Sequence, residues 1–184
     1  MMELNKEQQT ALLGLARKTI ANTLHVNAPD IDAETLSEEV FNQNCGAFVT
    51  VHKNGALRGC IGYITGIKPI AQAVQELALS AAFHDPRFKP LSAAEYPAID
   101  LEISVLSPIE EVKSIDDIET GRDGLIISKD YNRGLLLPQV AEEYGWDKQT
   151  FLEQTCVKAG LHRDAWKDPE AKIEKFTAQV FGEV

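Results

Sequence analysis

The run Phe48 to Gly62, FVTVHKNGALRGCIG, has Asn54-Gly55 at its centre. Asn-Gly accepts positive φ at both central positions of a two-residue type I′ turn, the turn whose twist matches that of paired strands. With β-branched and aromatic residues on either side, it predicts a β-hairpin. A two-residue loop also sets a register: Lys53 faces Ala56, Val51 meets Arg58, Val49 meets Cys60 and Thr50 lies opposite Gly59. In this register His52 points to the face opposite Cys60. Both faces are mostly apolar, as in a strand pair covered on both sides.

Arg58 is the exception, since no other charged residue falls between Gly55 and Gly66. Its guanidinium has to sit at an opening, pair with a carboxylate or meet a ligand. The Cys60 thiol lies two residues further along, about 7 Å away on the same face, where an arginine favours the thiolate. Gly59 and Gly62 mark a bulge or the close approach of a ligand. Against this stands the ordinary expectation that a cysteine in an apolar strand is a small buried hydrophobe and an arginine is solvated or ion-paired.

The chain has 184 residues, 44% hydrophobic and 25% charged, enough for one domain with a sizeable core over residues 1–184. A net charge of −10 repels phosphate backbones and anionic lipid, so neither nucleic acid nor membrane is expected as a partner. Cys45, Cys60 and Cys156 are odd in number and lack C-x-x-C spacing, which argues against a disulfide framework or a zinc site. No apolar stretch reaches the length of a membrane span and the start, MMELNKEQQT, lacks a signal-peptide core, so the cytoplasm is the expected compartment.

Along the chain, Asn5 with Gln8 reads as a capping box opening a helix to about His25. Residues 27–44, with Pro29 and a run of acidic residues, read as a loop or short turns. Pro69 suits the first position of a helix that runs to about Phe83. Residues 84–91, His-Asp-Pro-Arg-Phe-Lys-Pro-Leu, follow as a loop in which two prolines bar regular structure. This loop brings Asp85 to Arg58, or Arg87 and His84 to Cys60, or else is a connector whose Asp85 caps the turn and pairs with Arg87.

Ser92 with Glu95 predicts a short capped helix. Ile99 to Val105 alternates as a strand with Asp100, Glu102 and Ser104 on one face, making Glu102 the expected counter-ion of Arg58 if that face borders a cleft. Gly124 to Ser128 and Gly134 to Leu137 form a second hairpin, and Pro138 starts a helix after it. Hairpin followed by helix thus occurs twice, as in a duplicated unit. Asp147 caps a helix ended by Gly160, with Cys156 in the core, and Lys172 to Phe181 is a last strand with Phe176, Ala178 and Val180 on one face.

The hexapeptide Leu57-Arg58-Gly59-Cys60-Ile61-Gly62, placed after G-A-F-V-T and followed by D-P-R-F-x-P-L, resembles the signature of the AMMECR family, named for the AMME-syndrome chromosomal region. The likeness extends through Glu102 to Leu106, Gly124 to Val140 and Cys156 to Leu161. It implies an α+β fold: a two-lobed single domain with a largely antiparallel, barrel-like sheet, flanking helices and a cleft near the hexapeptide. It also implies a Memo-like protein and a radical-SAM protein as companions, and no settled activity.

No metalloprotease, nucleotide-binding or nucleophile-elbow motif occurs, and the four histidines are scattered, so neither a metal nor a cofactor is expected. Two functions remain. In the first, the chain is a binding or accessory module whose ligand site comprises Arg58, Gly59, Gly62, Asp85, Arg87 and Glu102, receiving a small anion or a partner's loop. In the second, it is a thiol enzyme with Cys60 as catalytic nucleophile or redox thiol and His84 or His52 as base. The first is favoured, because a nucleophile without an identified base is an incomplete site.

Overall fold

The computed structural model describes residues 3–183, which divide into two compact units. The first runs to Leu106 and takes up the chain again from Gln179; the second is Ser107–Ala178.

In the first unit, α1 (Lys6–Leu24) opens with the capping box expected at Asn5 and Gln8 and closes at His25 in the left-handed region. Its apolar stripe, including Leu12, Ala16 and Ile20, is fully buried, each larger side chain contributing about 2 kcal/mol of transfer free energy. Two 3-10 turns, Thr35–Ser37 and Glu39–Asn42, interrupt the following loop. Strands β1 (Ala47–Lys53) and β2 (Ala56–Tyr63) form the hairpin, with Asn54 at φ 52° and Gly55 at φ 77° as the turn requires. Helix α2 (Ile70–Phe83) has Pro69 as its N-cap, one residue before the position expected for it. Strand β3 (Ile99–Leu106) pairs antiparallel with β1, and the sheet order is β2-β1-β3 followed by the end of the last strand.

The register of the hairpin differs from the simple two-residue ladder. Lys53 pairs with Ala56 and His52 with Leu57, but Val51 pairs with Gly59, Thr50 with Cys60 and Val49 with Ile61. Arg58 is the extra residue of a β-bulge. An unbroken ladder would set Arg58 beside Val51, which is fully buried on the helix-covered face, and a guanidinium there would lose its hydration. The bulge moves Arg58 out of the alternation and turns Gly59 towards α2, where a Cβ would lie 2.1 Å from the Ala81 carbonyl oxygen. The same step brings Cys60 to the face of Thr50 and His52, reversing the expected relation of Cys60 to His52.

The anticipated helix at Ser92 is instead a turn followed by the 3-10 segment Tyr96–Ala98. Ile99, Leu101, Ile103 and Val105 are buried against the helices, leaving Asp100, Glu102 and Ser104 on the opposite face.

The second unit contains β4 (Glu110–Glu111), β5 (Asp123–Lys129), β6 (Asn132–Leu136), α3 (Pro138–Glu143), α4 (Lys148–Lys158) and the start of β7 (Lys172–Gly182). Strand β5 pairs antiparallel with both β6 and β7. Asp147 caps α4 as expected, and Phe151, Leu152 and Cys156 bury one arc of that helix against Leu125 and Ile127. On β7, Phe176 and Phe181 are buried and Val180 is 42% exposed, so the apolar Phe176, Ala178 and Val180 face does not stay buried to the strand's end. Each unit contains a hairpin followed by a helix, and the architecture is α+β with antiparallel pairing of β1 with β2 and β3, of β5 with β6 and β7, and of β4 with β7.

Gly59→Ala is expected to destabilise the protein by about 3 kcal/mol, because the added methyl meets a helix carbonyl and not a mobile side chain. The midpoint of urea unfolding measures this, and a midpoint equal to that of the wild type would refute the close-packing account of Gly59.

Candidate functional site

After α2, Asp85-Pro86-Arg87 turns back along the outer edge of β2. Asp85 is 3% exposed. Its carboxylate accepts the Cys60 main-chain N–H at 2.9 Å, the Arg87 main-chain N–H at 3.1 Å, and Arg87 Nε and Nη2 at 2.9 and 2.7 Å. Arg87 Nη2 also donates to the Cys60 carbonyl oxygen at 3.2 Å. The two side chains therefore grip both main-chain polar groups of Cys60, closing the edge strand at that residue. The Arg87 guanidinium, helped by the two N–H donors and opposed by burial, holds the Asp85 carboxyl well below the usual carboxylate range, and Asp85 in turn raises Arg87. Asp85 thus pairs with Arg87 and caps its own turn; it does not bond to Arg58.

The counter-ion of Arg58 is Glu95. Arg58 donates from Nε at 3.1 Å and Nη2 at 3.2 Å, and Nη2 also approaches the Pro90 carbonyl oxygen at 3.5 Å. Lys53 Nζ adds a contact to Glu95 at 3.0 Å, and the Ser92 N–H and hydroxyl donate to it at 3.1 and 3.0 Å. Arg58 first, then Lys53 and Ser92, keep the Glu95 carboxyl well below its ordinary range. Phe88 lies between the two groups: the guanidinium carbons of Arg58 and Arg87 are 5.9 and 5.5 Å from its ring centroid, within cation–π range.

The face of the sheet opposite the helices sets Cys60, Thr50 and Glu102 in one cross-strand row, with Leu57, His52 and Asp100 in the next. The Thr50 hydroxyl donates to Cys60 Sγ at 3.3 Å. A cavity of about 370 Å³ lies over His52, Asp100 and Glu102 beside Gly182 and Glu183. His52 is diagonal to Cys60, at about 7 Å in such a ladder, yet no histidine or carboxylate side chain hydrogen-bonds to the sulfur among the described residues. His84 is exposed at the end of α2, and no hydrogen bond joins it to Cys60 among the described residues.

Of the residues singled out in the sequence, Arg58, Cys60, Asp85 and Arg87 come together at the edge of β2. Glu102 is across the sheet and makes no ion pair with Arg58, because the bulge carries Arg58 towards the 84–95 segment. Gly59 and Gly62 are close approaches to protein: a Cβ at Gly62 would lie 2.2 Å from the Phe48 ring. Glu95, Lys53, Thr50 and Phe88 were not anticipated as site residues. For Glu95 the signal was present as Ser92-x-x-Glu95, whose carboxylate serves both its own turn and Arg58. No disulfide links Cys45, Cys60 or Cys156. Among the described residues no His, Cys, Asp or Glu group is arranged to hold a metal, and no helix is long and apolar enough to cross a membrane.

An α+β protein whose hairpin edge carries L-R-G-C-I-G and is gripped by a D-P-R-F loop defines a class that comparison with known proteins makes explicit. The AMMECR1 family model matches residues 13–181, and the chain belongs to that family. A relative from Methanothermobacter thermautotrophicus is 45% identical over 98% of this chain and 96% of its own length. Protein MJ0810 of Methanocaldococcus jannaschii is 43% identical over 100% of this chain and 94% of its own. The crystal structure of uncharacterized protein PH0010 from Pyrococcus horikoshii matches with a TM-score of 0.85 at 38% identity, covering 100% of this chain and 94% of that one.

Asp85→Ala leaves Arg87 and the Cys60 N–H without their acceptor and is expected to cost about 3 kcal/mol. Because Asp85 and Glu95 are both lowered in the folded state, their stabilisation is complete above about pH 4 and declines as the pH falls through and below that value. Urea unfolding across this acid range should show a steeper loss of stability for the wild type than for Asp85→Ala; parallel curves would contradict the assignment.

Proposed function

We propose that this AMMECR-family protein is a cytoplasmic binding or accessory module. It docks a partner against the outer edge of β2 and the 84–91 loop, and Memo-like and radical-SAM companions carry out the chemistry. The observation that carries this function is the double anchoring of the loop. Asp85 grips the Cys60 main chain and Arg87, Glu95 grips Arg58, and both guanidinium groups flank Phe88. Such a surface has little conformational entropy left to lose on association. Meanwhile Asp85, the carboxylate nearest the Cys60 main chain, is fully engaged as an acceptor and leaves the thiol without a base.

Co-expression of the tagged protein with the Memo-like and radical-SAM proteins of its own genome provides the test. At least one companion should co-elute on size exclusion with the wild type and be lost with Phe88→Ala, which removes the central ring without changing charge. Absence of both companions from the wild-type complex, or retention by Phe88→Ala equal to wild type, would reject docking at this surface.

Thiol chemistry at Cys60 is the alternative, favoured by one observation: the bulge sets Cys60 on the same face as His52, with the Thr50 hydroxyl at the sulfur. Alkylation read by mass spectrometry separates the two, with fully buried Cys156 as internal control. The docking function predicts no acceleration attributable to His52. A Cys60 rate saturated below neutral pH and abolished by His52→Ala would instead establish an activated thiol.

A further inference from the structure

The two arginines at the edge of β2 are anchored on one side only. Arg58 commits Nε and Nη2 to Glu95 and Pro90, and Arg87 commits Nε and Nη2 to Asp85 and Cys60. Neither Nη1 makes a hydrogen bond among the described residues. Among the described residues the fully buried polar side-chain atoms without a partner belong to Tyr63, Gln139 and Trp166, so the unpartnered Nη1 of Arg58 is not fully buried although its side chain is only 14% exposed. The Arg87 side chain is 55% exposed. Lys89, exposed and in no ion pair among the described residues, follows Phe88 in the same loop. Lys53 and Arg58 share Glu95, Arg87 pairs with Asp85, and Lys89 stands in the same loop, so this segment sets four cationic side chains against two carboxylates on a chain whose net charge is −10.

We infer that the Nη1 edges of Arg58 and Arg87, on either side of the Phe88 contact, form a carboxylate receptor for an acidic segment of the partner protein. This rests on the docking function proposed above and adds its chemistry. A guanidinium held by a buried or half-buried carboxylate on its Nε/Nη2 edge keeps its orientation, so a second carboxylate meets donors already in place. The resulting contacts are charge-assisted hydrogen bonds, stronger than neutral ones. The nearby main-chain N–H groups of Cys60, Arg87 and Ser92 are taken by Asp85 and Glu95. Only side-chain donors remain, which suits the two oxygens of a carboxylate better than the three of a terminal phosphate.

Fluorescence anisotropy with a labelled hexaglutamate peptide, against hexaglutamine, tests the receptor at low ionic strength. Hexaglutamate should bind and hexaglutamine should not. Arg87→Gln should weaken binding about tenfold, the value of one charge-assisted hydrogen bond. Because Arg87→Gln also loosens Asp85, its thermal melting is recorded alongside, and Lys89→Glu, which breaks no internal contact, should weaken binding at least about threefold by repulsion. Lys113→Gln, at an exposed lysine of the second unit, should change nothing. Equal binding of the two peptides, or equal affinity of wild type and Lys89→Glu, overturns the inference. If companions are still lost with Phe88→Ala but retained by Lys89→Glu, docking stands and the carboxylate receptor falls; if the wild type retains no companion, docking itself falls.

Discussion

A carboxylate that is 3% exposed is tolerated only when its oxygens are satisfied, and Asp85 meets that requirement with donors from two different segments. Two come from the side chain of Arg87 and one from its main chain; the fourth is the main-chain N–H of Cys60. The constraint works in both directions. The edge strand supplies a donor that would otherwise be open to another chain, and the loop is fixed in place by the strand it closes. Removing the carboxylate releases both, which is why the conformation of the 84–91 loop and the integrity of the β2 edge are a single property.

The bulge at Arg58 follows from a conflict that a regular ladder cannot resolve. One face of the hairpin lies under α2 and accepts Val49, Val51, Ile61 and a residue with no side chain; the other accepts Thr50, Cys60 and Gly62. A charged residue placed between Leu57 and Gly59 belongs to neither face. Stepping it out of the alternation lets Glu95 neutralise it at the edge while Gly59 takes the close contact with the helix. The resulting geometry joins Lys53 at the end of β1, Arg58 in β2 and Ser92 in the loop through one carboxylate, so the turn, the bulge and the loop are held to one another without a buried unpaired charge.

Much of this was legible in the residues. Asn54-Gly55 specified the turn, Asn5 and Gln8 the first cap, and the alternation of Ile99 to Val105 the polar and apolar faces of β3. The L-R-G-C-I-G and D-P-R-F segments pointed to the two pieces of chain that meet at β2. What could not be read was the order of side chains on the hairpin. Turn chemistry sets the first pairs, and a single extra residue resets all later ones, so Cys60 exchanged faces while Lys53 and Ala56 remained correctly paired. Glu102 sits in a recognisable strand, which makes it the carboxylate that the pattern offers Arg58. Glu95 prevailed because a loop can bring its carboxylate to the edge, and periodic patterns carry no information about where a loop closes.

The functional consequence lies in how the charges are distributed between structure and surface. Had Asp85 beside Cys60 and Glu95 beside Arg58 been left unpaired, acid–base chemistry at this edge would have had candidate acceptors. Instead each carboxylate is saturated by cations and N–H donors, and each is held ionised by them, so neither is available to take a proton near neutral pH. What remains unsatisfied is cationic: the outward guanidinium edges of Arg58 and Arg87 and the ammonium of Lys89. With its acceptors engaged internally and its donors facing outward, this edge suits the anion recognition proposed above better than it suits proton transfer.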